Sequence, residues 1–306
     1  MDVLSDVLHR ARAGEARIHQ LIQRPPWSVQ FADPPSLAVV AALGGTASVR
    51  LDGEAVLLAG GDIALISRAD GYTIADAPDS PPQVVIRGGY KQFIEDGSMA
   101  GRQLGPRTYG DGLPGSTVVL HAGYRLRGEV GRRLLAMLPG LAVLPAGPRT
   151  RQVLELLSGE VAQEEPGQDA VLGRLLDLVL VLALRALCAQ PGDELPHWRG
   201  ALADPGIGEA LRLLHERPAH RWTVAELAAS AGQSRSAFAA RFSRVVGEPP
   251  LGYLTGWRMT LAADLLRETE HSVEAVAREV GYADAFAFST AFKRAHGVSP
   301  SVWRRG

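Results

Sequence analysis

Hydroxyl and cationic side chains recur at helical spacing in two segments of the last third of this 306-residue chain. One segment contains Ser236 and Arg244, and the other contains Thr290 and Lys293. Hydroxyl groups exchange hydrogen bonds with base edges and phosphates, while cationic groups neutralise phosphates. This combination predicts a surface that recognises nucleic acid, provided that both sets lie on exposed helix faces.

The two segments are copies of one pattern, so the same local structure must position both sets. Each copy has a hydroxyl residue, an apolar stretch, a glycine and two phenylalanines four residues apart: Thr223, Gly232, Phe238 and Phe242, and then Ser272, Gly281, Phe288 and Phe292. Two helices joined by a tight turn form a helix-turn-helix unit. The sequence therefore predicts two such units, at about 224–245 and 273–295.

Helix-start signals precede both helices of the first unit. Thr223 and Glu226 form a capping box, in which the hydroxyl and the carboxylate satisfy backbone amides at a helix start. Gly232 permits the tight turn that follows. Ser234 then predicts the N-cap of the second helix.

The phenylalanines fix which helix face points outward. At about 100° per residue, Ser236 and Ala240 lie nearly opposite Phe238, which is predicted to face the core. The equivalent outward positions of the second copy are Phe286 and Thr290. These two faces are the ones that a DNA major groove would meet.

A long apolar helix is predicted over residues 251–267, between the two units. Its rise is about 25 Å. Successive major grooves on one face of the duplex lie ~34 Å apart. We therefore expect a spacer that holds two recognition helices for adjacent grooves.

The second copy also carries a specific signature. It reads Gly281-Tyr-x-Asp284, then Phe288-x-x-x-Phe292-Lys-Arg, then Gly297-x-Ser-Pro300. Over about 100 residues this segment resembles the DNA-binding domain of AraC/XylS transcription regulators, and the upstream segment resembles the cupin-type sensor of one AraC subgroup. The resemblance implies a sequence-specific homodimeric regulator that binds double-stranded promoter DNA, contacts RNA polymerase and responds to a small organic effector.

The resemblance also implies base-facing positions in both recognition helices: Ser236, Ala239 and Ala240 in the first, and Ala285, Phe286 and Thr290 in the second. Many family members carry Arg or another long polar residue where Ala240 stands, and an alanine can contact only a thymine methyl group. We therefore expect sparse base readout, with DNA shape contributing more. Cations beside these faces are expected on phosphates: Arg235, Arg244, Lys293 and Arg294. The alternative for each cation is a solvated surface side chain.

Composition narrows the classes of protein to which this chain could belong. The whole chain carries a net charge of −1, whereas the residues from Trp198 onward carry 14 Arg and Lys against 11 Asp and Glu. A mildly basic C-terminal module has the sign expected for DNA contact. The longest apolar run, Leu178 to Leu184, is too short for a membrane helix, and the acidic N-terminus lacks the pattern of a secretory signal. We expect a cytoplasmic protein with no membrane partner.

Residues 36–124 show the short, period-two apolar runs typical of strands. The runs 46–51 and 54–59 around Asp52-Gly53 predict a hairpin, and an amphipathic helix is expected near residues 6–22. The predicted fold is α+β, with an N-terminal cupin-like β-barrel and an all-α C-terminal tandem helix-turn-helix domain. Alternate residues of each strand face the interior of a barrel. Six apolar side chains at such positions are candidates for the core or for an effector pocket: Val49, Leu51, Val56, Leu58, Val84 and Ile86.

Helical patterns follow over 132–138, 149–164 and 169–189, and the last has a broad apolar face. This face could pack on the barrel or form a homodimer interface from a pair of helices. Pro191 to Pro196 read as a linker. The expected divisions are a sensor domain at 1–125, a helical dimerisation segment at 126–190, a linker at 191–205 and a DNA-binding domain at 206–306.

Side chains suited to metal binding or catalysis are sparse. His121 is the only histidine between His19 and His197, and Tyr72 stands where members of the subgroup often carry histidine. We expect no metal site, no cofactor and no enzymatic activity, because phosphate-binding loops and Ser-His-Asp order are absent as well. Two alternatives stay open: a cupin enzyme with a regulatory helical part, and a regulator that responds to oxidation of the single cysteine, Cys188.

Overall fold

The computed structural model describes residues 2–11, 16–67, 70–94, 102–145, 147–190, 200–201 and 204–305. The chain divides into two compact units that are not contiguous in sequence. The sheet unit comprises residues 13–126 and 138–193, and the helical unit comprises residues 1–12, 127–137 and 194–306. The predicted linker at Pro191 to Pro196 lies outside the described residues.

The described part of the sheet unit contains strands β1 to β13. Their bounds are Ala16–Gln23, Ser28–Phe31, Leu37–Gly44, Ala47–Leu51, Glu54–Leu58, Asp62–Ser67, Tyr72–Ala75, Val84–Arg87, Tyr90–Phe93, Gln103–Gly105, Thr108–Gly110, Thr117–Tyr124 and Leu141–Pro145. A seven-stranded sheet has the order β10-β11-β1-β12-β3-β6-β13, and a six-stranded sheet has the order β5-β4-β7-β2-β8-β9. The predicted α+β class is confirmed, with a β-rich N-terminal part and a helical C-terminal part.

The strand pairing differs from the expected barrel. Among the described strands, neither sheet closes on itself. The sheets are also mixed, because β1 pairs in parallel with β11 and β2 pairs in parallel with β8. The predicted hairpin is confirmed: Leu51 pairs with Glu54 across a two-residue turn in which Asp52 and Gly53 both have positive φ. Such a turn matches the natural twist of the two strands.

Apolar side chains from both sheets form the core of the sheet unit. Trp27 is fully buried, and Val49, Leu58 and Val84 lie in the same cluster. Val56 is partly buried against it. Burying each such side chain contributes about 1.5–3 kcal/mol, so alternation along the strands selects one register strongly.

Two helices complete the sheet unit, α3 at Pro148–Val161 and α4 at Gln168–Ala189. They pack against each other, and α4 buries Leu172, Leu176, Val179 and Ala183 on one face. Cys188 lies half-buried near the end of α4.

The N-terminal helix is shorter than the sequence pattern predicts. Helix α1 spans Val3–Arg10 and strand β1 begins at Ala16, so the expected helix over 6–22 is wrong. The reason lies in strand pairing: β1 lies between β11 and β12, and Ile18 and Gln20 are buried at the period of two that a strand has. Local amphipathicity does not outweigh this non-local ladder.

The helical unit contains α1, α2 and seven later helices in the described residues. Helix α2 spans Gly128–Ala136, and α5 to α11 span Pro205–Glu216, Val224–Ser230, Arg235–Val246, Pro250–Glu268, Val273–Glu279, Ala285–His296 and Pro300–Arg305. Helix α1 contacts α2 and α5, and α2 contacts α8. Residues 3–10 and 128–136 therefore pack with the C-terminal helices, although the boundaries expected from the sequence follow chain order.

Candidate nucleic-acid interface and ligand cavity

Helices α6 and α7 form the first helix-turn-helix unit. Thr223 and Glu226 make both hydrogen bonds of the predicted capping box, and Ser234 accepts a hydrogen bond from the Ala237 amide at the start of α7. Gly232 in the turn has φ +65°, the left-handed conformation that favours glycine. These local signals explain why the first unit is readable from sequence.

Helices α9 and α10 repeat this arrangement with a turn that is one residue longer and more crowded. Ser272 caps α9, and Asp284 caps α10 by accepting hydrogen bonds from two backbone amides. Gly281 has φ +89°, and a Cβ atom there would lie 2.6 Å from the backbone oxygen of Ala219. Only glycine fits this position without a backbone shift.

The phenylalanine pairs are buried as predicted. Phe238 and Phe242 of α7 and Phe288 and Phe292 of α10 are fully buried. Truncating a buried phenylalanine to alanine costs about 3–5 kcal/mol. Each pair thus fixes the rotation of its recognition helix about the helix axis.

The outward face of α7 is open to solvent. Arg235, Ser236, Ala240 and Arg244 are exposed, and Ala239 is half-buried. Sequence reasoning missed two further exposed residues, Ala237 and Arg241. Arg241 donates from Nε to the Asp204 carboxylate over 2.7 Å, so its charge is already paired with the cap of α5.

The outward face of α10 has a different chemistry. Phe286 is 81% exposed, and Thr290, Lys293 and Arg294 are exposed beside it, while Ala285 is half-buried. The Thr290 hydroxyl donates to the Phe286 carbonyl over 3.0 Å, which leaves its oxygen lone pairs and its methyl group for an outside partner. An exposed aromatic ring beside cations suits an apolar base contact flanked by phosphates.

Helix α8 lies between the two units and packs against both. It spans 19 residues and therefore rises about 28 Å. Tyr253 of α8 meets Phe242 edge to face, with ring centroids 6.1 Å apart. At the other end, the Trp303 indole donates to the Ala263 carbonyl over 3.1 Å, and its ring contacts Phe292. The spacer predicted from the sequence is present as one continuous helix.

A buried series of hydrogen bonds connects α1 to other helices of the helical unit. The Asp6 carboxylate lies 3.0 Å from Nδ1 of His215, and Nε2 of His215 lies 2.6 Å from the Tyr253 hydroxyl. Burial lowers the pKa of His215, and the hydrogen bond to Asp6 offsets this only in part. The imidazole is therefore neutral near pH 7, with Nδ1–H donating to Asp6 and the Tyr253 hydroxyl donating to Nε2. The His215 ring also stacks on Trp257.

Helix α2 is held in the same unit by a carboxylate from α8. The Asp264 carboxylate accepts hydrogen bonds from the amides of Glu129 and Val130 at the start of α2. A negative charge at a helix N-terminus satisfies free amides and complements the helix dipole. Sequence reasoning found neither Asp6 nor Asp264, because their partners are far away in the chain.

The sheet unit contains a cavity of about 310 Å³ between its two sheets. Apolar and aromatic side chains supply much of its lining, including Trp27, Phe31 and Tyr109. Among the six apolar residues that the sequence offers for core or pocket, Val84 and Ile86 line the cavity, and Val49, Leu51, Val56 and Leu58 pack in the core.

His121 and Tyr72 meet inside this unit. The Tyr72 hydroxyl lies 2.6 Å from Nε2 of His121, and Phe31 stacks on the imidazole at 4.2 Å. Burial lowers the pKa of His121 to about 3 and raises that of Tyr72, so both side chains are neutral. Within the described ranges, no three His, Cys, Asp or Glu side chains are grouped so as to hold a metal ion.

Comparison with known proteins agrees with this geometry. Residues 2–189 match the family described as Cupin, and residues 227–306 match the family described as Helix-turn-helix domain. A putative AraC-like transcription regulator of Streptomyces antibioticus is 34% identical over 311 residues, which cover 100% of this chain and 99% of that relative. The chain belongs to the AraC-like transcription regulators. It is accordingly a DNA-binding transcription regulator with an N-terminal cupin domain.

One further relative is similar along its whole length, and one solved structure is similar to the C-terminal part. The HTH-type transcriptional regulator AlkR of Acinetobacter baylyi is 29% identical over 312 residues, covering 100% of this chain and 99% of that relative. Among solved structures, the DNA-binding domain of AdpA in complex with a target DNA is 33% identical, covers 33% of this chain and 91% of that chain, and has a TM-score of 0.32. In the described part of this AraC-like regulator, no helix combines the length and hydropathy needed to cross a membrane.

Proposed function

We propose that α7 and α10 enter successive major grooves on one face of promoter DNA. The observation that carries this proposal is the repeat itself: two capped helix-turn-helix units pack against one continuous helix, each with a buried phenylalanine pair and an exposed opposite face. The α8 rise of about 28 Å, together with the helix widths, is suited to the ~34 Å repeat of the groove.

The exposed faces divide into base-facing and phosphate-facing groups. We assign Ser236, Ala239, Ala240, Ala285, Phe286 and Thr290 to bases, and Arg235, Arg244, Lys293 and Arg294 to phosphates. Exposure supports this division, since none of the four cations is buried. In the first unit, short side chains give few hydrogen bonds to bases, so the second unit contributes more sequence discrimination.

The direct test is recovery of DNA fragments bound by the full-length chain across its own genome. We expect a short recurring sequence upstream of genes, with the stronger base preference in the half that α10 occupies. Recovery of fragments with no shared sequence would contradict specific readout. The neighbouring genes would also indicate which process the regulator controls.

We further propose that the sheet unit binds a small organic effector in its cavity. Effector binding would shift the population between arrangements that bind DNA and arrangements that do not. Strands β1 and β12 line the cavity, and the chain continues from them toward α1 and α2 of the helical unit. The bound regulator would then act on RNA polymerase in the cytoplasm.

We also propose a homodimer formed through α4. Val171, Leu175, Leu178 and Leu182 are spaced by four, three and four residues and lie about 110° from the buried face of α4. Val171 and Leu178 are 44% and 42% exposed, which is unusual for an apolar stripe at coiled-coil spacing. A second copy of α4 would cover this stripe.

The oligomeric state in solution tests this interface. A Leu178→Glu variant should shift the mass measured by light scattering from dimer to monomer. Ala170→Glu, an exposed position away from the stripe, is the matched control and should remain dimeric. A monomeric parent chain at micromolar concentration would exclude the interface.

A further inference from the structure

The cavity of the sheet unit has two unlike walls, and the first is apolar. Trp27, Val29 and Phe31 lie at every second position along or beside β2 and line the cavity. Val84 and Ile86 of the adjacent β8 pair with Val29 and Phe31 and extend the same surface. The part of a ligand that lies against this wall would be stabilised by burial of its apolar surface.

The facing wall changes character along the strands. Three cross-strand pairs of β1 and β12 contribute to the lining in the order apolar, imidazole and cationic: Leu21 with Val119, His19 with His121, and Arg17 with Gly123. Successive pairs on one face are about 7 Å apart, so the change from apolar to cationic takes about 13 Å. The cavity is thus polarised along a length that one small molecule can span.

Positive charge dominates the cationic end. Arg17 and Arg125 line the cavity there, Lys91 lines it at the Tyr109 ring, and the lining holds a single carboxylate, Asp33. None of these three cations forms an ion pair within the described residues. Burial lowers the pKa of Lys91 to about 8, so a neighbouring anion would stabilise its charged form. A lining with three cations and one carboxylate favours an anionic group on the ligand.

The cavity volume limits the size of the ligand. A 150 Å³ apolar cavity holds one benzene, and the volume of about 310 Å³ is roughly twice as large. We propose that this cavity binds a small organic carboxylate whose apolar body, about the size of two fused aromatic rings, lies against β2 and β8 with the carboxylate at the cationic end. This inference rests on the proposed role of the cavity as the effector site.

Calorimetric titration of the full-length chain with three matched probes tests the proposal. The probes are 2-naphthoate, its neutral methyl ester and the cationic 2-naphthylmethylammonium. We expect 2-naphthoate to bind at least about tenfold more tightly than the ester, and the ammonium probe to bind most weakly.

Variants locate the binding and its charge preference. The double variant Arg17→Met with Lys91→Met should bind 2-naphthoate no better than the ester, while its unchanged ester affinity shows that the cavity is intact. Arg87→Met removes an exposed cation that does not line the cavity and should keep the tenfold preference. Val84→Trp fills the cavity and should abolish binding of both probes.

The outcomes separate this proposal from DNA regulation. Equal or tighter binding of the ester or the ammonium probe, or no binding of any probe, overturns the carboxylate class even if the chain binds promoter DNA. A carboxylate preference that the double variant removes supports the class even if promoter affinity does not change. An unchanged promoter affinity would instead contradict control of DNA binding by the effector.

Discussion

Replacing Asp6 should loosen α1 from the helical unit by a predictable factor. Asp6 is 4% exposed and its partner His215 is 1% exposed, so Asp6→Ala leaves a buried imidazole N–H without an acceptor. Hydrogen bonds that involve a charged group contribute about 1.5–3 kcal/mol. At about 1.4 kcal/mol per tenfold, the docked fraction of α1 should fall relative to the undocked fraction by roughly 10- to 150-fold.

Hydrogen–deuterium exchange of the α1 amides measures this change directly. Their protection should fall by the same factor in Asp6→Ala, and by less in Asp6→Asn, whose amide oxygen still accepts from Nδ1–H. Arg10→Ala is the matched control, because Arg10 also pairs with Asp6 but its side chain is 39% exposed. An exposed partner contributes only about 0–1 kcal/mol. Unchanged protection in Asp6→Ala, or an equal loss in Arg10→Ala, would refute the claim that the Asp6–His215 hydrogen bond holds α1 in the helical unit.

The same contact should weaken in acid. Burial raises the pKa of Asp6, but hydrogen bonds from His215 and Arg10 outweigh this and lower it below its ordinary 3.8. The folded-state pKa of His215 also lies below its ordinary 6.5. For both groups the folded state binds protons less well than the unfolded state, so stability is fully present above pH 6.5 and falls as the pH drops. Protection of α1 that increased between pH 7 and pH 5 would contradict the assigned proton positions.

Three further results are expected. Gly281→Ala should destabilise the chain by about 2–5 kcal/mol in thermal or denaturant unfolding, because backbone strain and the clash with Ala219 add together, whereas Gly232→Ala meets only strain and should cost about 1–2 kcal/mol; equal losses would contradict the crowding at Gly281. Thr290→Ala should change preference at one base step in competitive binding, whereas Lys293→Ala should weaken all sequences alike and lower the salt slope by about one; a uniform loss from both would contradict the face assignment. Cys188→Ser should leave promoter affinity unchanged before and after peroxide treatment, and a peroxide response that depends on Cys188 would favour redox control.

The features predicted well from sequence are those fixed by short-range chemistry. The capping box at Thr223, the glycine turns and the phenylalanine pairs each act within one or two helical turns, so spacing alone identifies them. The recognition faces follow from the same periodicity. Their contacts with DNA remain predictions, since exposure alone assigns no base.

The features that sequence reasoning missed depend on distant partners. Residues 16–22 form a strand because β11 and β12 flank them, and Asp6 meets His215 across 209 residues. The cations that line the cavity, Arg17, Lys91 and Arg125, come from different strands or strand ends, and no local pattern links them. Tyr72 and His121 hydrogen-bond to each other across 49 residues, a contact that the sequence does not predict.

The most direct measurement is a hydroxyl-radical footprint of the full-length chain on a promoter fragment recovered from its genome. Two helix-turn-helix units held by one rigid helix should protect two segments centred about 10–10.5 base pairs apart on the same face of the duplex. Phe288→Ala should weaken protection of the segment that α10 contacts more than protection of the other segment, because α10 loses a fully buried side chain. A single protected segment, or two segments on opposite faces of the duplex, would contradict binding by the tandem units.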